Sequence, residues 1–412
     1  MKAFLSKFSL LSHHDFRNFL SGSFFLTLGV QIQSVAVGWQ VYEITKNPLW
    51  LGLIGLSEAI PFIISTFPGG HFADTRRRKR IMQYTVSGYL VCSLSLLMLN
   101  TFASNWISGS GLWAIFAVIS LIGVLRGFSS PARAALGYQL IKKDEMLQAA
   151  SISSTTWQAA FVLGPAIGGV IYGMYDCTSA YLLTCVCTSI SLLSYFLIRA
   201  NPVAASDTTE PALTKVKEGL TFFFNHPIIL PAMSLDMLAV LFGGAVAVLP
   251  MFCDVILHTG PEGLGILRAM PSVGGILAGF VVTLIPLKKN AGKKLLAGVC
   301  LFGLSMVLFA LSRNFYLSCA LLILSGAADM VSVVIRSTIL QTFAPEEMRG
   351  RLSAINYIFV GTSNEIGAFE SGVAARFLGL IPSVVIGGFS TIFISGVVGI
   401  VSKPMRELEF ET

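Results

Sequence analysis

Charged and amide side chains set inside long apolar stretches are the residues of this chain that could do chemistry. Glu58, Arg126, Asp236, Arg268, Asp329, Glu365 and Glu370 each interrupt a hydrophobic run. If those runs cross a bilayer, each charge costs roughly 2.5–3.5 kcal/mol on insertion scales, so such residues mark a substrate or proton pathway by default. A carboxylate taken out of water favours its protonated form, which makes Glu58, Asp236 and Asp329 the candidates for proton binding. Arg126 could attract an anionic substrate or neutralise a carboxylate. A purely structural ion pair, or an arginine reaching for the interface, would use the same residues. The first run also carries Gln31, Gln33, Ser34 and Gln40. Gln33 and Gln40 are seven apart and share a helix face. They could hydrogen-bond a polar substrate or tie helices to one another. Asp254 and Glu262 lie nearer segment ends and are expected in water, whereas Glu365 and Glu370 are expected to support a cavity.

Other chemistries find no constellation. His13, His14, His71, His226 and His258 stand at segment ends without metal-ligand spacing. The seven cysteines include no C-x-x-C pair, so neither a zinc site nor a disulfide framework is expected. No Gly-x-x-x-x-Gly-Lys stretch is present to hold ATP. The reading is a protein without a cofactor or metal, and not an enzyme.

The elements that must position these residues are membrane spans. Hydrophobic residues make up 54% of the chain and charged residues 12%, with a mean hydropathy of +0.76. A soluble domain is about 25% charged, so the class is an all-α membrane protein. The net charge of +7 sits in loops beside apolar segments, without the interleaved aromatics a base-stacking surface needs. It reads as topology in a lipid bilayer, and no nucleic acid is expected. The opening MKAFLSKFSLLSHHDFRNF lacks the short apolar core and cleavage site of a signal peptide; the first span is expected to serve as its own insertion signal.

A span needs about 20 apolar residues. Twelve are expected, at 17–42, 49–71, 81–103, 111–134, 148–174, 179–199, 227–256, 262–287, 294–312, 315–343, 351–376 and 382–402. Between the second and third lies PGGHFADTRRRKR, whose run Arg76 to Arg80 resists translocation and stays cytoplasmic. The even count then places both termini inside. Lys2, Lys7, Arg17, Lys142, Lys143, Arg199, Lys215, Lys217, Lys288, Lys289, Lys293, Lys294, Arg349, Arg351, Lys403 and Arg406 fall on the same side, against Lys46, Arg313 and Arg376 outside.

The one long connection, 200–226, opens polar and ends in KVKEGLTFFF, with lysines on one side and phenylalanines on the other. It is expected as a cytoplasmic linker whose amphipathic helix lies on the membrane surface. It divides the chain into an N-terminal six-helix bundle, 1–199, and a C-terminal one, 227–412. A shift of 203 residues supports pseudo-symmetric halves: Arg133 falls on Arg336, Ile152 on Ile355, Gly164 on Gly367 and Gly169 on Gly372. Parallel duplication of this kind relates the halves of some transporters. The same shift maps Arg126 onto Asp329.

Two short motifs add to this. Gly164-Pro165-Ala166-Ile167-Gly168-Gly169 on the fifth span permits close helix approach and bends the segment, and packing alone would account for it. The pattern Gly70-x-x-x-Asp74-x-x-x-Arg78-Lys79 resembles the loop between helices two and three of major facilitator superfamily transporters. Thr75 and Arg77 stand where the family usually has Arg and Gly. The fifth-span string is similar to the core of a motif of proton-coupled exporters in that superfamily, with Ala160 where the motif begins with Gly. FRNFLSGSFF, QVYEITKNPLWLGLIG and APEEMRGRLSAINY resemble the branch of enterobactin-type siderophore exporters and macrolide efflux pumps, over nearly the whole chain.

The resemblance implies two six-helix bundles around a central cavity lined chiefly by the first, fourth, seventh and tenth helices. It implies export of a small molecule across the bacterial inner membrane by alternating access, driven by protons, and a monomer is expected. Arg126 and Asp329 would then face one another across the cavity at equivalent depths. Asp74 would cap the start of the eleventh span near Gly350 and Arg351, so that Gly70, Asp74 and Arg78 form a conformational latch. Import on the same fold and a non-transporting sensor are the competing readings. Mixed charges leave the cargo between a siderophore and a drug-like compound.

Overall fold

The structure is a computed structural model that describes residues 9–102, 106, 111–142, 145–200, 212–285, 287, 289–345 and 348–410. Lys2, Lys7, Lys143, Lys288 and residues 201–211 of the linker lie outside the described residues. Among the described residues there is no strand. In hydrocarbon the backbone must satisfy its own hydrogen bonds, which restricts apolar segments to helices. The helices are α1 His14–Thr45, α2 Pro48–Thr75, α3 Arg78–Phe102, α4 Leu112–Gln139, α5 Met146–Met174 and α6 Cys177–Leu197. After α7 Ala212–Asn225 follow α8 Ile229–Gly243, α9 Gly260–Leu284, α10 Ala291–Leu311, α11 Phe315–Phe343, α12 Arg349–Leu378 and α13 Leu380–Val401.

Each expected span falls on helix. Eleven segments are long and apolar enough to cross a membrane among the described residues. The other, α12, spans 30 residues, about 45 Å at the usual rise, but Arg349, Arg351, Glu365, Glu370 and Arg376 make it too polar to stand among them. The seventh span is interrupted. α8 ends at Gly244, whose backbone is extended, and the chain continues through a short 3-10 turn at Val246–Val248 and a π turn at Phe252–Ile256. Ser371 Oγ donates to the Gly244 carbonyl at 2.6 Å, so one carbonyl of the break keeps a partner.

The chain forms two compact units. The first comprises Met1–Ile44 and Ser57–Asp207, the second Thr45–Leu56 and Thr208–Thr412. The first turns of α2 thus belong with the second unit: Gly52 lies against Ala368 and Phe369 of α12, Gly55 against Glu365, and Gly372 against Gly52. Small residues permit that approach.

In the first unit Phe16, Phe19, Met82, Val86, Tyr89, Leu136 and Tyr195 form one buried cluster. In the second, the core gathers α8, α10, α11 and α12 around Met233, Leu235, Leu295, Ile335 and Leu352. Phe223 of α7 is fully buried in that core, its ring 5.1 Å from Phe359. The amphipathic linker helix is therefore docked to the second unit through Phe223.

A few helix starts are capped by side chains. Asp176 Oδ1 accepts from the Ser179 N–H at 2.6 Å, and this bond holds its carboxyl below the usual range. His226 Nδ1 accepts from the N–H groups of Ile228 and Ile229, both at 3.2 Å, at the start of α8. Burial lowers the His226 pKa from its ordinary 6.5. A protonated Nδ1 would also forfeit both bonds. The unfolded chain therefore holds this proton more tightly than the folded one, and the cap is complete above the ordinary pKa and lost as pH falls through the lowered folded value. Amide exchange at Ile228 and Ile229 should accelerate on acidification below pH 6.5, beyond the intrinsic pH effect. Exchange mass spectrometry checks this, and His226→Asn, which keeps a capping acceptor, should abolish the extra pH dependence.

Candidate functional site

Close backbone approach creates the ionic site of the first unit. Gly123 and Gly127 of α4 sit directly against Glu58 and Ser65 of α2, and Gly69 against Gly127, positions where a Cβ would collide. With the two helices in contact, Arg126 Nη1 reaches Glu58 Oε1 at 2.7 Å. The guanidinium also lies 4.7 Å from the centroid of the Phe62 ring, a cation–π contact. The side chains remain 30% and 23% exposed, so the pair is open to an approaching solute.

The glutamines of α1 are arranged differently. Gln33 is buried and accepts from Ser93 Oγ at 3.1 Å. Gln40, also buried, donates to Asn100 Oδ1 at 2.7 Å and accepts from Tyr181 OH at 2.6 Å. The shared face expected for these two is the face toward α3 and α6, where both amides tie helices together. Gln31 lies on another side of α1, its Cβ against Gly164 of α5. Gly164, Pro165, Gly168 and Gly169 are all buried. Gly164 meets Leu28 and Gln31, and Gly168 meets Ile32, so the fifth-span motif packs α5 onto α1. In the basic loop Asp74 is 78% exposed and lies 3.9 Å from Arg78. Arg78 Nε donates to the Ala73 carbonyl at 2.9 Å and closes the end of α2. Among the described residues, no heavy atom outside the helix's own backbone lies within 4 Å of the position of a Cβ at Gly70.

The second unit holds the more deeply buried charges. Arg336 Nη2 of α11 meets Asp236 Oδ1 of α8 at 2.7 Å, and each side chain is only 5% exposed. Arg336 Nε also donates to Ser332 Oγ at 3.2 Å. Asp329 lines the same small void as Asp236 and Ser332, closed by Val299 and Phe302. It interacts electrostatically with both Asp236 and Arg336. Asp329, Ser332 and Arg336 recur at i, i+3 and i+7, one face of α11, which turns all three toward α8. Elsewhere in this unit Arg268 of α9 lies in the field of Glu365 of α12. Lys46 and Asp254 form an exposed ion pair at 3.0 Å, in keeping with the solvated place expected for Asp254.

Arg336 is a buried, paired charge that the sequence alone did not single out. It enters there only as the repeat partner of Arg133, although its spacing from Asp329 was visible. The structure gives Arg126 a partner within its own unit, Glu58, and gives Asp329 the neighbours Asp236 and Arg336. No group of three or more His, Cys, Asp or Glu side chains suited to a metal occurs among the described residues.

The family described as transmembrane secretion effector matches residues 5–411. Among curated proteins, the chain is 23% identical to a staphyloferrin A transporter of Staphylococcus aureus, over 94% of this chain and 96% of that one. It is 24% identical to the enterobactin exporter EntS of Citrobacter koseri, over 95% and 93%. It is 22% identical to the multidrug efflux pump Tap of Mycolicibacterium fortuitum, over 92% and 94%. Among solved structures, a POT family transporter in complex with a thioalcohol-conjugated peptide superposes with a TM-score of 0.77 at 12% identity, covering 95% of this chain and 96% of that one. An inward-facing bacterial homologue of the iron transporter ferroportin superposes with a TM-score of 0.72 at 16% identity, covering 97% and 100%. These two likenesses establish the fold.

Removing one partner of a buried ion pair strands the other charge, which costs about 3–5 kcal/mol. Arg336→Gln should therefore lower the unfolding temperature sharply in detergent micelles, and Arg336→Gln with Asp236→Asn should recover most of the loss. Equal loss in the single and double variants would show that the two residues do not act as a pair.

Proposed function

The chain belongs to the transmembrane secretion effector family of major facilitator superfamily transporters, and from that premise we propose that it exports a small molecule, a siderophore or drug-like compound, across the bacterial inner membrane by alternating access in exchange for protons. The observation that carries this reading is one guanidinium, Arg336, paired with Asp236 while Asp329 lines the same void as Asp236 and interacts electrostatically with both, inside the second unit. With both carboxylates ionised the set carries one net negative charge, which is costly in a membrane interior. One proton makes it neutral. Arrival of the proton releases Arg336 from one carboxylate and its departure draws the arginine back, shifting α8 relative to α11. Asp329 is the group that titrates during the cycle, with Asp236 as its partner.

Cargo recognition falls to Arg126. Its pairing with Glu58 is partly exposed, so an anionic chelating group can take the place of the Glu58 carboxylate without leaving either charge in a dry site. That favours a siderophore, and relatives named for enterobactin and staphyloferrin A support it. The relative named as a multidrug pump keeps a drug-like cargo as the second reading. Gly70, Asp74 and Arg78 serve as the latch of one conformational state, and Gly164, Pro165, Gly168 and Gly169 keep α5 against α1 through the cycle. The protein works as a monomer in the lipid bilayer.

Inside-out vesicles with an imposed pH gradient test this directly. An iron-free siderophore or a macrolide should accumulate, a protonophore should abolish accumulation, and Asp329→Asn should reduce the rate at least tenfold and remove its pH dependence. Asp329→Asn with wild-type rate and pH profile would refute the coupling. Siderophore uptake confined to right-side-out vesicles would reverse the direction.

A further inference from the structure

Outside the spans, α7 presents a second face that the packing of Phe223 does not use. Glu218, Thr221, Phe222 and Asn225 recur at i, i+3, i+4 and i+7, a stripe along one side of the helix. Together with His226 and, opposite them, Met348 at the start of α12, this stripe lines a cavity of about 570 Å³. Sites for drug-sized ligands run from about 300 to 1,000 Å³ and combine apolar and aromatic walls with a few fixed polar groups. Phe222 and Met348 provide the apolar walls here.

The fixed polar group is His226. Its ring stands between Phe222, with centroids 5.4 Å apart, and Phe343, at 5.5 Å, and is tilted against both. Its Nδ1 is committed to the backbone of Ile228 and Ile229. In the neutral ring the proton must then reside on Nε2, which makes that edge a donor and only a donor. Two aromatic neighbours and two backbone bonds fix the direction of this N–H beside an apolar trough. Asn225, one residue earlier, is exposed and adds an amide at the rim.

We propose that this trough, between α7 and the start of α12, binds a drug-sized aromatic molecule whose carbonyl or phenolic oxygen accepts a hydrogen bond from His226 Nε2–H while its ring lies against Phe222 and Met348. The site is separate from the charged groups inside the spans and does not depend on the direction or coupling of transport. A ligand here bridges the linker helix and Met348 at the start of α12.

Benzophenone carries both features, a ring and an acceptor oxygen, and on illumination inserts into neighbouring C–H bonds. The full-length protein in lipid nanodiscs, irradiated with benzophenone and digested, should show its principal adduct on Met348 or on the peptide containing Phe222. Fluorenone should block that labelling at a concentration at least tenfold lower than fluorene, which has the same rings without the oxygen. His226→Asn keeps the cap but replaces the ring and its Nε2–H by a shorter amide, and should reduce the adduct about tenfold. Asp329→Asn should leave labelling unchanged, which separates this site from the proton-coupling reading. Labelling spread evenly over the spans, equal blocking by fluorene and fluorenone, or an undiminished adduct in His226→Asn would overturn the proposal.

Discussion

The pairing of Arg336 with Asp236 is the interaction on which the second unit depends. A lone charge at that depth would not persist, and the 2.7 Å contact between side chains only 5% exposed supplies the counter-charge. Once α8 and α11 are fixed to one another, Asp329 is held on the same face of α11 as Arg336, beside a void too small for a cargo. A buried pair with a third charge beside it adds little stability. In the proposed cycle it provides a charge balance that a single proton changes.

The backbone around these charges is set by small residues. Gly274 of α9 abuts the Ile323 carbonyl while Gly326 of α11 abuts Pro271, a reciprocal contact. Gly303 of α10 and Gly388 of α13 repeat the device. In the first unit Gly123 and Gly127 do the same for α2 and α4, and Gly164 and Gly168 for α1 and α5. Lipid chains are as apolar as leucine, so association of spans relies on such close packing and on interhelical hydrogen bonds like those of Gln33 and Gln40. The ionic site of the first unit sits where α2 and α4 approach closely. Position and packing are therefore parts of one arrangement.

The sequence made the helices legible because hydrophobic length alone specifies a span, and every expected segment falls on helix. The polarity of α12 and the break at Gly244 were less visible, since window averages hide one extended residue. The cost of burying charge singled out Glu58, Arg126, Asp236 and Asp329, and each lies on a segment long and apolar enough to cross a membrane. It did not reveal their pairing. Glu58 and Arg126 are 68 residues apart, and their contact follows from glycines on α4 that align with Glu58 only once the helices pack. Arg336 went unremarked because the repeat presented it as a match to Arg133 and not as a charge needing a partner. The amides of α1 read equally as ligand contacts or as ties between helices, and the residues that satisfy Gln33 and Gln40, namely Ser93, Asn100 and Tyr181, lie on helices whose facing sides no periodicity in α1 can show.

The central claim is that Asp236, Asp329 and Arg336 together hold one exchangeable proton. Infrared spectroscopy of the protein with isotope-labelled aspartate, recorded across a pH titration in lipid, reads protonated carboxyl groups directly. The account predicts one aspartic acid band that titrates while the protein stays folded and is lost in Asp329→Asn. A spectrum without such a band, or one left unchanged when both Asp236 and Asp329 are replaced by asparagine, would contradict it.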